Sequence, residues 1–207
     1  CSSDGRGLGR QLRVTERIYL VGSGSSGFNL SWPADSHVYL LDGGDELALA
    51  DAGAGVSIAP IVARMRALGF DPTRLSKIFV THAHADHAGG ASDWRGLSKG
   101  AVVASQDVAS ILRAGDEKRA SLAVGLASQA FPADYRYRPC EVDTELADGD
   151  RVFVGDLEVE ALATPGHAIG HLSFLVHDPT GTDLFTGDAL LHGGRIVLRN
   201  TWDCDPP

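Results

Sequence analysis

Cysteine is scarce in this chain: 207 residues hold three, Cys1, Cys140 and Cys204, odd in number, far apart and in no metal-binding or redox spacing. A disulfide framework is therefore not expected, and a reducing, cytoplasmic setting is the simplest expectation. The alternative is that Cys1-Ser2-Ser3-Asp4 is the start of an exported chain anchored to lipid through Cys1. No apolar run approaches the length that crosses a bilayer, so no membrane span is expected. Basic residues are also few, 18 Lys and Arg against 27 Asp and Glu, a formal charge of −9. Phosphate backbones are held by clustered cations, so nucleic acid is not an expected partner.

Hydrophobic residues make up 43% and charged residues 22%, ordinary for a globular chain long enough to bury a sizeable core. Residues 1–13, rich in Gly, Ser and Arg, read as a flexible lead-in, and 14–207 as one domain without a composition break. Strand patterns occupy 14–21, 37–41, 47–51, 77–81 and 101–104, then 151–154, 157–163, 172–176 and 184–186. Apolar residues at helical spacing mark 57–68, a Ser cap opens 105–113, and 117–129 reads as a further helix. Two runs of strands with helices to their sides imply two sheets packed face to face.

The strand at 77–81 delivers His82-Ala83-His84-Ala85-Asp86-His87, followed by Gly89-Gly90. Imidazoles this close would repel one another if protonated and gain little unless a cation gathers them. Two later segments repeat the plan of strand, turn and ligand. Thr164-Pro165-Gly166-His167 follows the strand at 157–163, and Thr186-Gly187-Asp188 follows the strand at 184–186.

These segments resemble the metallo-β-lactamase fold superfamily, whose H-x-H-x-D-H pattern is matched by residues 82–87 at every defined position, with its T-P-G-H and G-D segments in the same order. The resemblance implies an α/β fold, a four-layer αββα sandwich with the metal site at one edge. It assigns a first metal to His82, His84 and His167 and a second to Asp86 and His87, with Asp188 between them. Two zinc ions are implied, iron or manganese being admitted by the carboxylate. The metal-bound hydroxide would be the nucleophile, Asp86 its catalytic partner in orientation and proton transfer. Asp51, in Asp51-Ala52-Gly53, would support the metal loop by hydrogen bonds without binding metal.

The departures from the pattern are informative too. Two-metal members take a further histidine from a late G-H segment, which none of the eight histidines here supplies. The expectation is that the natural chain runs on past Pro207 and carries it, together with the closing strand and helix. His192 reads as a pocket or loop residue and His171 as a pocket, supporting or plain structural one; His37 and His177 are set aside. Tyr135 and Tyr137, alternating with arginines between two prolines, either line a substrate mouth or tether a loop.

Asp188 differs from the Cys or Ser of lactam-hydrolysing members, and Leu191 from the Tyr of one lactonase class. Gly194-Arg195 is similar to the G-R of glyoxalase II-like thioester hydrolases, placing Arg195 among the pocket candidates. The reading is a metal-dependent hydrolase of a small ester, thioester or related acyl substrate. The alternative is a persulfide dioxygenase with one iron on His82, His167 and Asp188; a non-catalytic metal-binding domain is the remote third. Because the charge balance offers no cationic groove, fluorescence anisotropy at physiological salt should detect no micromolar binding to RNA, and binding that weakens steeply with salt would overturn this.

Overall fold

Alternating side-chain size along the central strands sets the layering. The computed structural model describes residues 13–191 and 193–195. In it β1 (Ile18–Gly22), β2 (Val38–Asp42), β3 (Leu47–Ala50), β4 (Leu75–Phe79), β5 (Ala101–Ser105) and β6 (Thr144–Leu146) form one sheet in that order. The pairings are antiparallel from β1 to β3 and parallel from β3 to β6. Leu47 and Leu49 of β3 face one side, Ala48 and Ala50 the other, and all four are buried. A strand buried on both faces must lie between two layers.

One layer is helical. α1 (Ala59–Ala67), α2 (Ala85–Ala88), α3 (Ala91–Ser98), α4 (Gln106–Ala114) and α5 (Leu122–Ala127) bring Ile61, Met65, Trp94, Val108, Leu112 and Leu122 against Leu49, Ile78 and Val102. The other is an antiparallel sheet of β7 (Arg151–Val154), β8 (Leu157–Ala163), β9 (Leu172–Asp178) and β10 (Gly181–Phe185), in the order β10-β9-β8-β7. Its inner residues Val159, Ala161, Phe174 and Val176 meet Leu41, Ala48, Ala50, Phe79 and Val103 in a second core. Phe79 and Phe174 cross that interface with ring centroids 5.1 Å apart. The result is two sheets flanked by helices, in the α/β class expected. Among the described residues no helix covers the outer face of the β7–β10 sheet.

Several local expectations are corrected. Strand β1 starts at Ile18, because Val14 and Thr15 both donate backbone hydrogen bonds to Ile18 O and so turn. The helix expected over 117–129 is reduced to α5, since Ser121 adopts a left-handed φ of 54°. α3 was not expected: its charged and small residues disguise a helix whose anchor, Trp94, is fully buried and donates Nε1–H to Ala52 O at 2.9 Å. β6, three residues at the sheet edge, was likewise not expected. The lead-in expected over 1–13, except Arg13, lies outside the described residues, as do Cys1, Cys204 and His192.

The loop after β3 and the start of α3 are zipped backbone to backbone. Ala52 N–H donates to His87 O at 2.7 Å and Gly90 N–H to Gly53 O at 2.9 Å. A β-carbon on Gly90 would stand 2.2 Å from Ala52 O. Gly90→Ala should therefore destabilise the chain by about 1–3 kcal/mol in urea unfolding, from overpacking alone. A cost below about 0.5 kcal/mol, within the usual range for surface changes, would mean the two loops are not in contact.

Candidate metal centre

Four strand ends deliver the polar residues to one edge. Asp51 follows β3; His82 and His84 follow β4, with Asp86 and His87 in α2; His167 and His171 lie between β8 and β9; Asp188 follows β10. The two sheets are tied at this edge by Leu172 N–H donating to Thr81 O at 2.9 Å.

His82 Nε2 and His167 Nε2 lie 3.1 Å and 3.0 Å from His84 Nδ1. All three residues are buried. Zinc–nitrogen bonds of about 2.0–2.1 Å place tetrahedral ligand nitrogens about 3.3 Å apart, close to this spacing. Burial first, and neighbouring imidazoles second, hold His82 well below its ordinary value and bring His84 down to about 3; burial also lowers His167. These imidazoles are neutral at pH 7, and converging lone pairs are what a cation requires.

A second group stands beside the first. His87 Nε2 is 3.5 Å from Asp86 Oδ2 and 3.3 Å from Asp188 Oδ1, while Asp188 Oδ2 is 3.5 Å from His167 Nε2. Ligand atoms of His82, His84 and His167, and separately of His82, His87 and Asp188, lie within 4.8 Å of one another. Burial works to lower His87, but Asp86, Asp188 and Asp51 outweigh it and hold it well above its ordinary value. For Asp188 burial works to raise the carboxyl, and His87, His167 and His84 outweigh it, leaving it well below the ordinary range. Asp86, its side chain 31% exposed, is raised by desolvation.

Asp51 orients this assembly. Its carboxylate accepts from Thr81 N–H at 2.9 Å and from the Thr81 hydroxyl at 2.9 Å. Having given its proton away, that hydroxyl accepts from His82 Nδ1–H at 3.0 Å, and His87 Nδ1–H donates to Asp51 Oδ2 at 2.7 Å. Both histidines thereby turn Nε2 toward the centre, the usual effect of a carboxylate behind ligating imidazoles. Thr81 was not singled out in the sequence; only its place just before the His-rich segment marked it.

The pocket candidates are distributed differently. Tyr135 and Tyr137 are buried, their hydroxyls donating to Ala54 O at 2.6 Å and Ala83 O at 2.9 Å, so they tether a loop beneath the metal segment and do not line a mouth. A buried phenol needs an acceptor, and the nearest ones are backbone carbonyls. His171 is 1% exposed and lies in the wall of the site, stacked against His82. Arg195 is exposed, its carbonyl accepting from Leu191 N–H at 2.8 Å. His37, which the sequence gave no reason to keep, is half-buried where His87 and Asp188 form part of its electrostatic surroundings. His177 lies on β9 beside Glu160.

Comparison with known proteins places this geometry. A sequence profile of the metallo-β-lactamase superfamily matches residues 32–204. A hydroxyacylglutathione hydrolase of Cereibacter sphaeroides is 34% identical over 148 residues, 70% of this chain and 47% of that protein; the chain thus spans about half the length of this curated relative. Among solved structures, a metallo-β-lactamase with a HARLDQ motif from Cronobacter sakazakii superposes with a TM-score of 0.69 at 26% identity, covering 83% of this chain and 62% of that one. A subclass B3 metallo-β-lactamase of Bradyrhizobium japonicum gives 0.66 at 26% identity, covering 83% and 59%.

The buried imidazoles make metal-free stability depend on pH. His84 and His171, at about 3 and about 4 in the folded chain, stay neutral while an unfolded chain protonates them near 6.5. Their contribution is full above about pH 6.5 and is lost as pH falls toward the folded values. His87 has the opposite sign; its contribution is complete below about pH 6.5 and constant there. Asp86 and Asp35, raised by burial, return part of the loss. Urea unfolding of chelator-treated protein should therefore lose at least about 2 kcal/mol between pH 7 and pH 5. A flat profile would mean the imidazoles are not buried together.

Proposed function

The chain belongs to the metallo-β-lactamase superfamily, and from that premise we propose that it is a metal-dependent hydrolase of a small ester, thioester or related acyl substrate. The observation that carries the reading is Asp188, whose two oxygens face two imidazole groups, His167 on one side and His87 on the other. A carboxylate so placed would serve two cations together, for which His82, His84 and His167 would be the residues holding one and His87 and Asp86 those holding the other. Bound there, such cations would supply an activated water near neutral pH and an electrophile for the acyl carbonyl.

The remaining work falls to this chain's own groups. Asp86 is partly exposed beside His87, where its carboxylate can orient the attacking water and take its proton. Asp51 and Thr81 keep the protons of His82 and His87 on Nδ1. The enclosed triad of His82, His84 and His167 excludes bulk water behind the reacting atoms, which strengthens every polar interaction in front of it. His84 converges with His82 and His167 as closely as either could require, which favours three imidazoles over the two-histidine, one-carboxylate set of an iron dioxygenase.

Elemental analysis of protein purified without added metal should find about two zinc per chain, whereas a single iron would overturn the hydrolase in favour of the dioxygenase. In a panel of small esters and thioesters, His82→Ala and Asp188→Ala should lose both metal and activity. Asp86→Asn should keep at least part of the metal and lower kcat by at least about 100-fold. An Asp86→Asn enzyme as fast as the parent would remove Asp86 from the chemistry.

A further inference from the structure

His171 is fully enclosed, 1% exposed, yet the proposed chemistry makes no use of it. Its ring lies almost flat on that of His82, with centroids 4.9 Å apart and planes 24° from parallel. One edge is held: Nδ1 is 2.8 Å from Thr164 Oγ1, which is 2.9 Å from Ser173 Oγ. The other edge has no hydrogen-bond partner among the described residues, because Nε2 abuts Gly187. A β-carbon at Gly187 would stand 2.8 Å from His171 Nε2 and 2.8 Å from Thr81 Oγ1, and Gly187 adopts a left-handed φ of 48°. The turn that presents Asp188 is thus gripped between the His171 ring and the Thr81 hydroxyl.

The backbone of His171 is fixed as firmly. Its N–H donates to Ala168 O at 3.3 Å, its carbonyl accepts from Thr164 N–H at 3.1 Å, and the next residue, Leu172, donates to Thr81 O. A ring anchored at its backbone and at Nδ1 cannot tilt without breaking bonds that are at least partly buried, where an unmade hydrogen bond is costly. We propose that His171 is a positioning residue, a rigid spacer that sets the distance between the His82 imidazole and the Gly187-Asp188 turn, and so decides whether one carboxylate can face both groups of imidazoles. A hydrogen-bond role alone would need the nitrogen and not the ring; general packing alone would lower stability without changing the cobalt spectrum.

The inference rests on the two-cation reading, and cobalt(II) serves as the probe. The chelator-treated full chain is titrated with cobalt(II), following visible absorption and far-ultraviolet circular dichroism, for the parent and for His171→Ala, His171→Phe and Thr164→Val. The parent should take up two equivalents. His171→Ala should bind the second at least about tenfold more weakly and alter the cobalt spectrum, in line with the 10- to 100-fold effects of groups that orient ligands. His171→Phe, which keeps a flat ring but loses its bond to Thr164, and Thr164→Val, which frees the same ring edge, should both fall between parent and His171→Ala. A parent that takes up fewer than two equivalents of cobalt overturns the two-cation reading, and this proposal with it. Parent-like uptake and spectrum in His171→Ala overturn the spacer alone, as does His171→Phe binding no better than His171→Ala. Should His171→Ala fail to fold, Thr164→Val decides, since parent-like uptake there overturns the proposal.

Discussion

Asp51 holds together what four strand ends bring in. With a φ of 61° and almost no exposure, it turns the chain out of β3 so that its carboxylate meets Thr81 and His87. A buried carboxylate must be satisfied by donors, and here the donors are the backbone, the hydroxyl and the imidazole of the segment that carries the candidate ligands. One carboxylate therefore settles three matters: the path of the chain just beyond β4, the placement of His87 within α2, and the tautomers of two histidines. Holding a non-glycine residue in the left-handed region costs free energy, and surrounding structure must over-determine it. The two zipped loops around Ala52, Gly53 and Gly90 do so.

Polarity is graded across the site. Behind it, His82, His84, His167 and His171 are enclosed and neutral; in front, Asp86 and Asp188 are each about a third exposed. Converging neutral imidazoles have no reason to stay together in water, since their lone pairs meet and desolvation of the ring nitrogens is not repaid by one another. The fold keeps them together by rigid attachment of each to a strand end. The exposed side is lined by these two carboxylates.

Support from below comes from residues with no polarity in common with the site. Tyr135 and Tyr137 reach up from the loop before Cys140 to the carbonyls of Ala54 and Ala83, and Trp94 reaches Ala52. Each joins segments more than 40 residues apart through one buried hydrogen bond on a large apolar body, which combines core packing with a directional contact. Cys140, enclosed nearby and with its thiol pushed up to about 11 by burial, behaves as a small apolar residue.

The polar residues that converge at the site and the two-sheet α/β plan were legible in the chain itself, because strand period, turn residues and the spacing of imidazoles and carboxylates are local and repeat three times around His82, His167 and Asp188. α3 was hidden because its burial rests on Trp94 and a partner carbonyl in another loop, and α5 was overdrawn because nothing in its sequence announces the left-handed Ser121. The tyrosines were undecided for the same reason: an aromatic between prolines can face water or a carbonyl, and only the neighbour decides. Tertiary structure alone brought His84 and His167 to 3.0 Å across more than 80 residues, split the oxygens of Asp188 between two groups, and laid His171 on His82. Such contacts join distant segments through directional side-chain geometry, and no short window of sequence carries the distance between two strand ends.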